Sequence, residues 1–193
     1  MSESTTRSSR IVIIGGVAAG ATAATKARRE NETAEIIVLE RGPYVSFANC
    51  GLPFHVSGEV EHRAALLLQS PETLLERYNL DIRPGHEVLS INRNAHTVRI
   101  RLGAHARGAV SPASRRDCPE PGMAAGTEFD LHWDRLILAM GGRPVEAGLP
   151  GTSTGNCFTL WTMEDMDRID TFIKTAKPRH AGGMARVREL KRR

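Results

Sequence analysis

The first forty residues predict a strand, a helix and a second strand in succession. Arg10–Ile14 is a short β-branched run that ends at Gly15-Gly16, which is typical of a buried strand. A helix is predicted from there to about Arg29, and residues 35–39 predict the second strand. Small residues on one helix face would let the helix lie close against a sheet: Gly20, Ala23, Ala24 and Ala27. Together these elements predict a right-handed βαβ unit with parallel strands.

The remaining pattern predicts two capped helices and several short strands. Residues 42–60 are irregular and carry Cys50. Ser70-Pro71 opens a helix that runs to about Tyr78, with serine at the cap and proline in the first turn. Thr162 opens another helix, with acidic residues in its first turn and Lys174 near its end. Alternating apolar and polar residues predict a small antiparallel layer from residues 80–83, 87–91 and 97–102. Two further strands are predicted at residues 129–133 and 135–139.

These elements predict an α/β fold in which a Rossmann-like βαβ unit carries a small antiparallel β layer. Residues 1–9 are expected to form a disordered leader. Residues 103–127, rich in Ala, Gly, Pro, Ser and Arg, are expected to form a surface loop or insertion. The domain then spans residues 10–176, and the basic segment 177–193 is a tail that forms a short helix or no regular structure.

Composition and charge narrow the classes of function. The chain has 193 residues and a formal charge of +4, but the tail alone contributes +6, so the remainder sums to −2. A basic tail on an acidic body gives little reason to expect a nucleic-acid partner. No apolar run approaches membrane-spanning length, and only four apolar residues follow the polar N-terminus, too few for a signal peptide.

The cysteines also exclude classes of protein. Cys50, Cys118 and Cys157 are odd in number, widely spaced and free of any CxxC pair, so neither a secreted disulfide framework nor a zinc site is expected. The histidines show no paired metal-ligand spacing, and no metal is expected. We therefore expect a cytoplasmic protein in which a lone cysteine is free to react. Cys118 is predicted to be a loop thiol and Cys157 a core residue.

The strand-to-helix turn has the composition of a dinucleotide site. Glycines there let the backbone approach a pyrophosphate, and the helix N-terminus offers free N–H groups. The turn runs Gly-Gly-Val-Ala-Ala-Gly from Gly15 to Gly20, with Val17 where the GxGxxG pattern has its middle glycine. Glu40 ends the next strand twenty residues later, where a carboxylate accepts hydrogen bonds from a ribose hydroxyl. The alternative is a turn whose glycines serve packing only.

Cys50 is the candidate nucleophile. A cysteine is most often a small buried hydrophobe, and that alternative stays open here. However, Cys50 lies in a polar loop soon after the nucleotide site, Ser46 and Asn49 can donate hydrogen bonds to a thiolate, and a helix starting near Cys50 would stabilise the anion. Residues 151–155 match the GxSxG nucleophile elbow, but Pro150 precedes them and an extended segment follows, so we interpret them as a turn.

The run Glu-Arg-Gly-Pro-Tyr-Val-Ser-Phe-Ala-Asn-Cys-Gly-Leu-Pro, from Glu40 to Pro53, closely resembles the single-cysteine branch of the pyridine nucleotide–disulfide oxidoreductases. That branch contains coenzyme A-disulfide reductases, NADH-dependent persulfide reductases and related NADH oxidases. The likeness covers roughly residues 10–178, because further blocks follow in the family's order at residues 68–72, 86–91, 136–144 and 158–160.

The resemblance implies that residues 10–176 are the N-terminal portion of an FAD-binding domain. It implies an FAD-dependent NAD(P)H oxidoreductase of the CoA-disulfide or persulfide reductase type, with Cys50 as the redox nucleophile. The implied FAD contacts are Gly15, Gly16, Val17, Ala18, Ala19, Gly20, Glu40, Arg41, Val88, Ala139 and Gly141. The implied contacts with a CoA-type substrate are Thr22, Lys26, Arg29, Ser46 and Asn49.

The chain also departs from the family pattern. Met140 replaces a usual threonine, and the 103–127 insertion is longer than expected. The family continues with a second glycine motif for NAD(P)H and with a dimerisation domain, whereas here the arginine-rich tail follows, which we interpret as the product of a frameshift or truncation. We therefore expect that the chain lacks the NAD(P)H site and the family's dimerisation domain, and that it does not turn over NAD(P)H alone. A non-catalytic flavin- or nucleotide-binding remnant is the alternative.

Overall fold

The structure, a computed structural model, describes residues 8–106, 124–145, 150–180 and 182. Within these ranges seven strands and four α-helices follow one another along the chain. The strands are β1 (Arg10–Ile14), β2 (Glu35–Glu40), β3 (Asp81–Pro84), β4 (His86–Asn92), β5 (Thr97–Leu102), β6 (Glu128–His132) and β7 (Arg135–Leu138). The helices are α1 (Ala18–Glu30), α2 (Leu52–Val56), α3 (Pro71–Tyr78) and α4 (Met163–Ala176).

A four-stranded parallel sheet forms the centre of the fold. Its strand order is β3-β2-β1-β7, and every neighbouring pair is parallel. The apolar runs of β1 and β2 are buried on both faces, as is usual for parallel strands covered by other elements. The predicted βαβ unit is therefore confirmed.

Helix α1 covers one face of this sheet. Gly20 and Ala24 are buried, and Ala23 and Ala27 pack against the same apolar cluster. The cluster joins α1 and α3 to side chains from β1, β2 and β3. The row of small residues thus has the packing function that the sequence predicts, because it lets the helix backbone approach the strands closely.

The antiparallel layer covers the opposite face. Strands β4, β5 and β6 pair in that order, which confirms the strands predicted at residues 87–91, 97–102 and 129–133. Val98, Ile100 and Leu131 from this layer form a buried cluster with side chains of β1 and β2. The strand predicted at residues 135–139 corresponds to β7, which joins the parallel sheet beside β1.

The predicted position of residues 80–83 in the antiparallel layer is wrong. The strand found there, β3, pairs in parallel with β2 at the edge of the central sheet. Its alternating charged residues indicated a solvent-facing side, but Asp81 and Arg83 are both fully buried. They form an ion pair with each other, with 2.7 Å between Arg83 Nη2 and Asp81 Oδ2. Alternating charged residues usually indicate a strand with one face in solvent, but here the charged residues pair with each other inside the protein.

Both predicted helix caps are present. The Ser70 hydroxyl accepts a hydrogen bond from the backbone N–H of Thr73 at the start of α3. Thr162 and Asp165 form a capping box at α4, in which each side chain accepts from the other residue's backbone N–H. These contacts define where both helices begin.

Several sequence predictions fall partly outside the described residues. The 103–127 insertion is described only at its two ends, and most of the basic tail and residues 1–7 lie outside the description. At the described end of the leader, the Ser9 carbonyl accepts a hydrogen bond from the backbone N–H of Glu35. Residues 151–156 form turns, and no helix directly follows them, in agreement with the rejection of the GxSxG elbow. None of the helices within the described ranges is both long and apolar enough to span a membrane.

Candidate functional site

The glycine turn between β1 and α1 is tightly packed. Gly15 has a φ of +102°, and its N–H donates to the carbonyl of Leu39 at 2.8 Å. A Cβ on Gly20 would lie 1.7 Å from the Gly15 carbonyl oxygen, and a Cβ on Gly15 would lie 2.2 Å from that of Ala139. Glycine is therefore required at both positions, because a side chain on residue 20 would collide with the end of β1 and one on residue 15 with the backbone that follows β7.

The N-terminus of α1 is open. Val17 occupies the cap position without a side-chain hydrogen bond, and none of the described side chains in the first helical turn is acidic. Ala18 and Ala19 are exposed, and the first backbone N–H groups of the helix have no acceptor within it. A helix end with free N–H groups attracts an anion such as a phosphate.

Glu40 stands beside this turn, at the carboxyl end of β2. Its Oε2 accepts a hydrogen bond from the Gly16 N–H at 2.7 Å, and its Oε1 accepts from the Gly42 N–H at 2.8 Å. The sequence predicted the carboxylate at this edge but not these two bonds. A carboxylate has about four acceptor positions, so two remain for a ligand hydroxyl.

Of the remaining predicted FAD contacts, Ala139 lies beside the turn and the others lie in different parts of the fold. Ala139 donates its N–H to the Ile14 carbonyl at 2.8 Å and so lies directly beside Gly15. Gly141, with a φ of +65°, and Arg41 are both exposed. Val88 lies in β4 and packs against the apolar cluster between the two sheets.

Cys50 lies in a single 3-10 turn, Asn49–Gly51, and is exposed. The segment that leads to it is joined to the glycine turn, because the Ser46 N–H donates to the Gly16 carbonyl at 2.9 Å. Ser46 has a φ of +47°, in the left-handed region of backbone conformation. The Asn49 side-chain amide donates to the Trp161 carbonyl at 3.3 Å, just before α4. The structure therefore brings the glycine turn, Glu40 and the cysteine segment together.

The three predicted substrate contacts on α1 lie on one exposed face. Thr22, Lys26 and Arg29 are separated by four and three residues, the spacing of helix neighbours. Lys26 is paired with Glu30 on the same helix. No hydrogen bond within the described ranges joins these side chains to the Cys50 turn, so the structure shows their common face but no contact with the nucleophile.

Cys157 is exposed, so its prediction as a core residue is wrong. It follows the turns of residues 151–156, and its Sγ lies near the surface groups Gly151 O and Thr154 Oγ1, at 3.7 and 3.6 Å. The sequence indicated an extended segment at residues 156–158, but the preceding turns place this segment at the surface. Cys118 lies outside the described residues.

A cleft of about 420 Å³ lies between residues 43–45 and 67–77. Its lining includes Tyr44 and Arg77 but none of the predicted site residues. The cleft is open, and neither Cys50 nor the glycine turn contributes to it. We therefore do not assign the chemistry to this cleft.

The fold and this arrangement agree with a known family. The family model of the pyridine nucleotide-disulphide oxidoreductases matches residues 9–178 of the chain. This chain belongs to that family. The match extends from the start of β1 to just beyond α4, so it covers nearly all of the described structure.

Individual relatives of the family give the same picture. Coenzyme A disulfide reductase of Staphylococcus aureus strain JH9 is 33% identical over 165 residues, which cover 86% of this chain and 32% of that protein. Reduced Bacillus anthracis CoADR-RHD superposes with a TM-score of 0.74 at 38% identity, covering 90% of this chain and 28% of that one. An NAD-dependent persulfide reductase from A. fulgidus superposes with a TM-score of 0.69 at 30% identity, covering 86% and 27%. The chain thus spans about a third of the length of these family members.

Sequence reasoning missed a group of side chains around the cysteine segment. Arg63 donates to both carboxylate oxygens of Asp167 and to the Tyr44 hydroxyl. The hydrogen bond that Arg63 donates to Asp167 is the main reason that the pKa of Arg63 is raised above its ordinary value. No local motif could have revealed this group, because Arg63 and Asp167 are 104 positions apart.

Proposed function

We propose that this chain carries the FAD-binding part of an NAD(P)H-dependent oxidoreductase that reduces CoA disulfide or a CoA-type persulfide, with Cys50 as the nucleophile. The observation that carries the proposal is the hydrogen bond between Ser46 and Gly16. It joins the segment of an exposed cysteine to a turn that is shaped for a pyrophosphate. A nucleotide and a reactive sulfur would then be held at one edge of one sheet.

The glycine turn fits a dinucleotide such as FAD. Gly15 and Gly20 leave no room for side chains, and the exposed start of α1 offers N–H groups to a pyrophosphate. Glu40 retains acceptor positions for ribose hydroxyls. When bound, FAD supplies two-electron transfer between a nicotinamide and a cysteine sulfur.

Cys50 is placed to exchange with a disulfide from solution, because its side chain is exposed. Its thiolate attacks one sulfur of CoA disulfide, the S–S bond breaks, and one CoA thiolate leaves. The products are a Cys50–CoA mixed disulfide and free CoA, and the thiol proton passes to solvent. No second protein cysteine is needed for this step.

A CoA-type substrate also suits the basic residues on the exposed face of α1. CoA carries several phosphates, and the exposed face of α1 carries Lys26 and Arg29 with Thr22 beside them. Ser46 and Asn49 both precede Cys50 closely in the sequence. The similarity to a CoA disulfide reductase and to an NAD-dependent persulfide reductase supports this substrate class.

Three features of the whole enzyme belong to the same proposal. Its electron donor is NADH or NADPH, its active form is a homodimer as the family resemblance implies, and it acts in the cytoplasm. Reducing conditions there keep a thiol such as Cys50 free. The similarity to an NAD-dependent persulfide reductase supports the nicotinamide donor.

The experiment is to map the thiols by mass spectrometry after a brief reaction with CoA disulfide. We expect the CoA adduct on Cys50 to form faster than the adducts on Cys157 and Cys118. Cys157 is the internal reference, since it is also exposed. A Cys50→Ser variant should lose the fast phase alone. Equal labelling of Cys50 and Cys157 would contradict the proposal, because exposure rather than placement would then govern reactivity.

A further inference from the structure

The Cys50 turn rests on α4 and on the segment that follows α2. A buried apolar cluster joins these three parts of the chain: Phe47, Leu52, Leu66, Met163 and Met166. The contact is close, because a Cβ on Gly51 would lie 2.6 Å from the Leu66 side chain. The Ala48 N–H also donates to the Leu66 carbonyl at 2.9 Å. The position of Cys50 therefore depends on where residues 63–67 lie.

Arg63 fixes that segment to two other parts of the fold. Its Nε and Nη2 donate to the two carboxylate oxygens of Asp167 on α4, at 2.7 and 2.8 Å. Nη2 also donates to the Tyr44 hydroxyl at 2.9 Å, and the guanidinium lies 5.0 Å from the centre of the Tyr44 ring. Tyr44 belongs to the connection between β2 and the cysteine turn. One guanidinium thus holds α4 and both chain segments that flank Cys50.

The pair has the geometry of a positioning contact. The parallel two-point contact between guanidinium and carboxylate fixes direction as well as distance. The side chains are 34% and 44% exposed, so solvent screens the attraction, and we expect it to add little to global stability. Its effect should therefore be local, on the segment that it orients.

We propose that Arg63 and Asp167, braced by Tyr44, are positioning residues that hold the Cys50 turn in register with the glycine turn through their contact between residues 63–67 and α4. This inference rests on the proposed function, because a positioning role assumes that Cys50 is the reacting group. The local ordering that it requires can nevertheless be measured without any reaction.

The first test compares Asp167→Asn with Asp130→Asn by amide hydrogen exchange. Asp130 is the matched control, because Arg99 binds it through the same two-point geometry at 2.6 and 2.8 Å with similar exposure, 45% and 46%, on the antiparallel layer. We expect Asp167→Asn to speed exchange at the Ala48 and Leu68 N–H groups about two- to fivefold through local opening. The Gly15 N–H, bonded to β2, should not change.

The second test measures the effect on chemistry. Asp167→Asn should slow the reaction of Cys50 with CoA disulfide about two- to fivefold, because a large partner must be oriented at the sulfur. Its reaction with iodoacetamide, which needs only an exposed thiol, should stay within about twofold. Asp167→Glu, which keeps the carboxylate, should restore both the exchange rates and the CoA disulfide rate.

The possible outcomes separate this inference from the proposed function. Equal exchange rates in the Asp167→Asn and Asp130→Asn proteins would overturn the inference, and so would an unchanged ratio of CoA disulfide to iodoacetamide rates. If wild-type Cys50 does not react with CoA disulfide at all, the proposed substrate class fails. The exchange data alone would then decide whether Arg63 and Asp167 order the turn.

Discussion

Glu40 has two roles at the scale of single residues. It accepts hydrogen bonds from the backbone of Gly16 and Gly42, so it stiffens the glycine turn and the start of the cysteine segment together. The acceptor positions that remain can bind a ligand hydroxyl. Removal of the carboxylate would therefore disturb the site even without ligand, which makes Glu40 a poor choice for isolating the energy of nucleotide binding.

His86 gives the protein a predicted dependence on pH. Burial lowers the pKa of this ring below its ordinary value, Arg83 nearby also lowers it, and the Pro84 carbonyl and Asp81 partly oppose them. Because the folded pKa lies below the unfolded value of about 6.5, the folded state favours the neutral ring. This part of the stability is complete above about pH 6.5 and is lost as the pH falls through the folded pKa.

The measurement is the free energy of unfolding in urea between about pH 7.5 and pH 5. The wild type should lose more stability over this range than a His86→Gln variant. His62→Gln is the control, because His62 is exposed, and it should follow the wild type. Parallel curves for the wild type and His86→Gln would show that this buried ring does not contribute to the pH dependence.

Local conformation and exposure at single residues were predictable, whereas long-range contacts were not. Glycine at positions 15 and 20 follows from the backbone turn, and the exposed Cys50 follows from a polar loop, since both features are local in sequence. Arg63 and Asp167 meet only because two distant segments pack on one apolar cluster. The exposure of Cys157 likewise depends on where turns place a segment that looks apolar.

At the scale of elements, α4 supports the candidate site. Its first turn supplies Met163 and Met166 to the cluster below the Cys50 turn, and the Trp161 carbonyl just before it accepts from Asn49. The capping box at Thr162 and Asp165 fixes where this helix begins. A weaker cap would therefore loosen the elements that surround the cysteine.

We predict that Thr162→Ala destabilises the protein by about 1 kcal/mol, the usual loss for an N-cap side chain. Thr171→Ala on the same helix is the matched control. The Thr171 hydroxyl donates only to the Asp167 carbonyl one turn earlier, and alanine is the better helix former there. Urea unfolding of both variants checks this, and an equal effect of the two substitutions would contradict the role of the cap.

The strands show why element type was easier to predict than sheet membership. Strand β5 was predicted with its exact bounds because one face is buried and the other carries Arg99 and Arg101 to solvent. Strand β3 has the same alternation, yet its charged residues pair with each other inside the protein. The two-residue alternation of charged and apolar residues cannot distinguish a charge that faces water from one that faces an oppositely charged partner. Strand β3 was therefore assigned to the wrong sheet.

At the scale of the molecule, the parallel sheet collects the site at one edge. The carboxyl ends of β1 and β2 and the residue after β7 meet there, and they supply Gly15, Glu40 and Ala139. Ligands of open α/β sheets bind at this edge. The order strand, helix, strand was enough to predict this edge, but the return of the cysteine segment to Gly16 required the tertiary structure.

The proposed function requires this edge to bind FAD through the open start of α1. Ala19→Asp tests it, because Ala19 is exposed in the first helical turn. A carboxylate there should preserve or raise the stability of the helix while it repels a pyrophosphate. Ala19→Asn has nearly the same shape without the charge and is the matched control.

The decisive measurement is a titration of FAD into the wild-type, Ala19→Asp and Ala19→Asn proteins, followed by flavin fluorescence and absorbance. Our account predicts saturable binding to the wild type and binding to Ala19→Asp at least about tenfold weaker than to Ala19→Asn, since like charges at close range cost more than 1.4 kcal/mol. Thermal unfolding should show that both variants are folded. Absence of saturable binding to the wild type, or equal affinities for the two variants, would contradict the account.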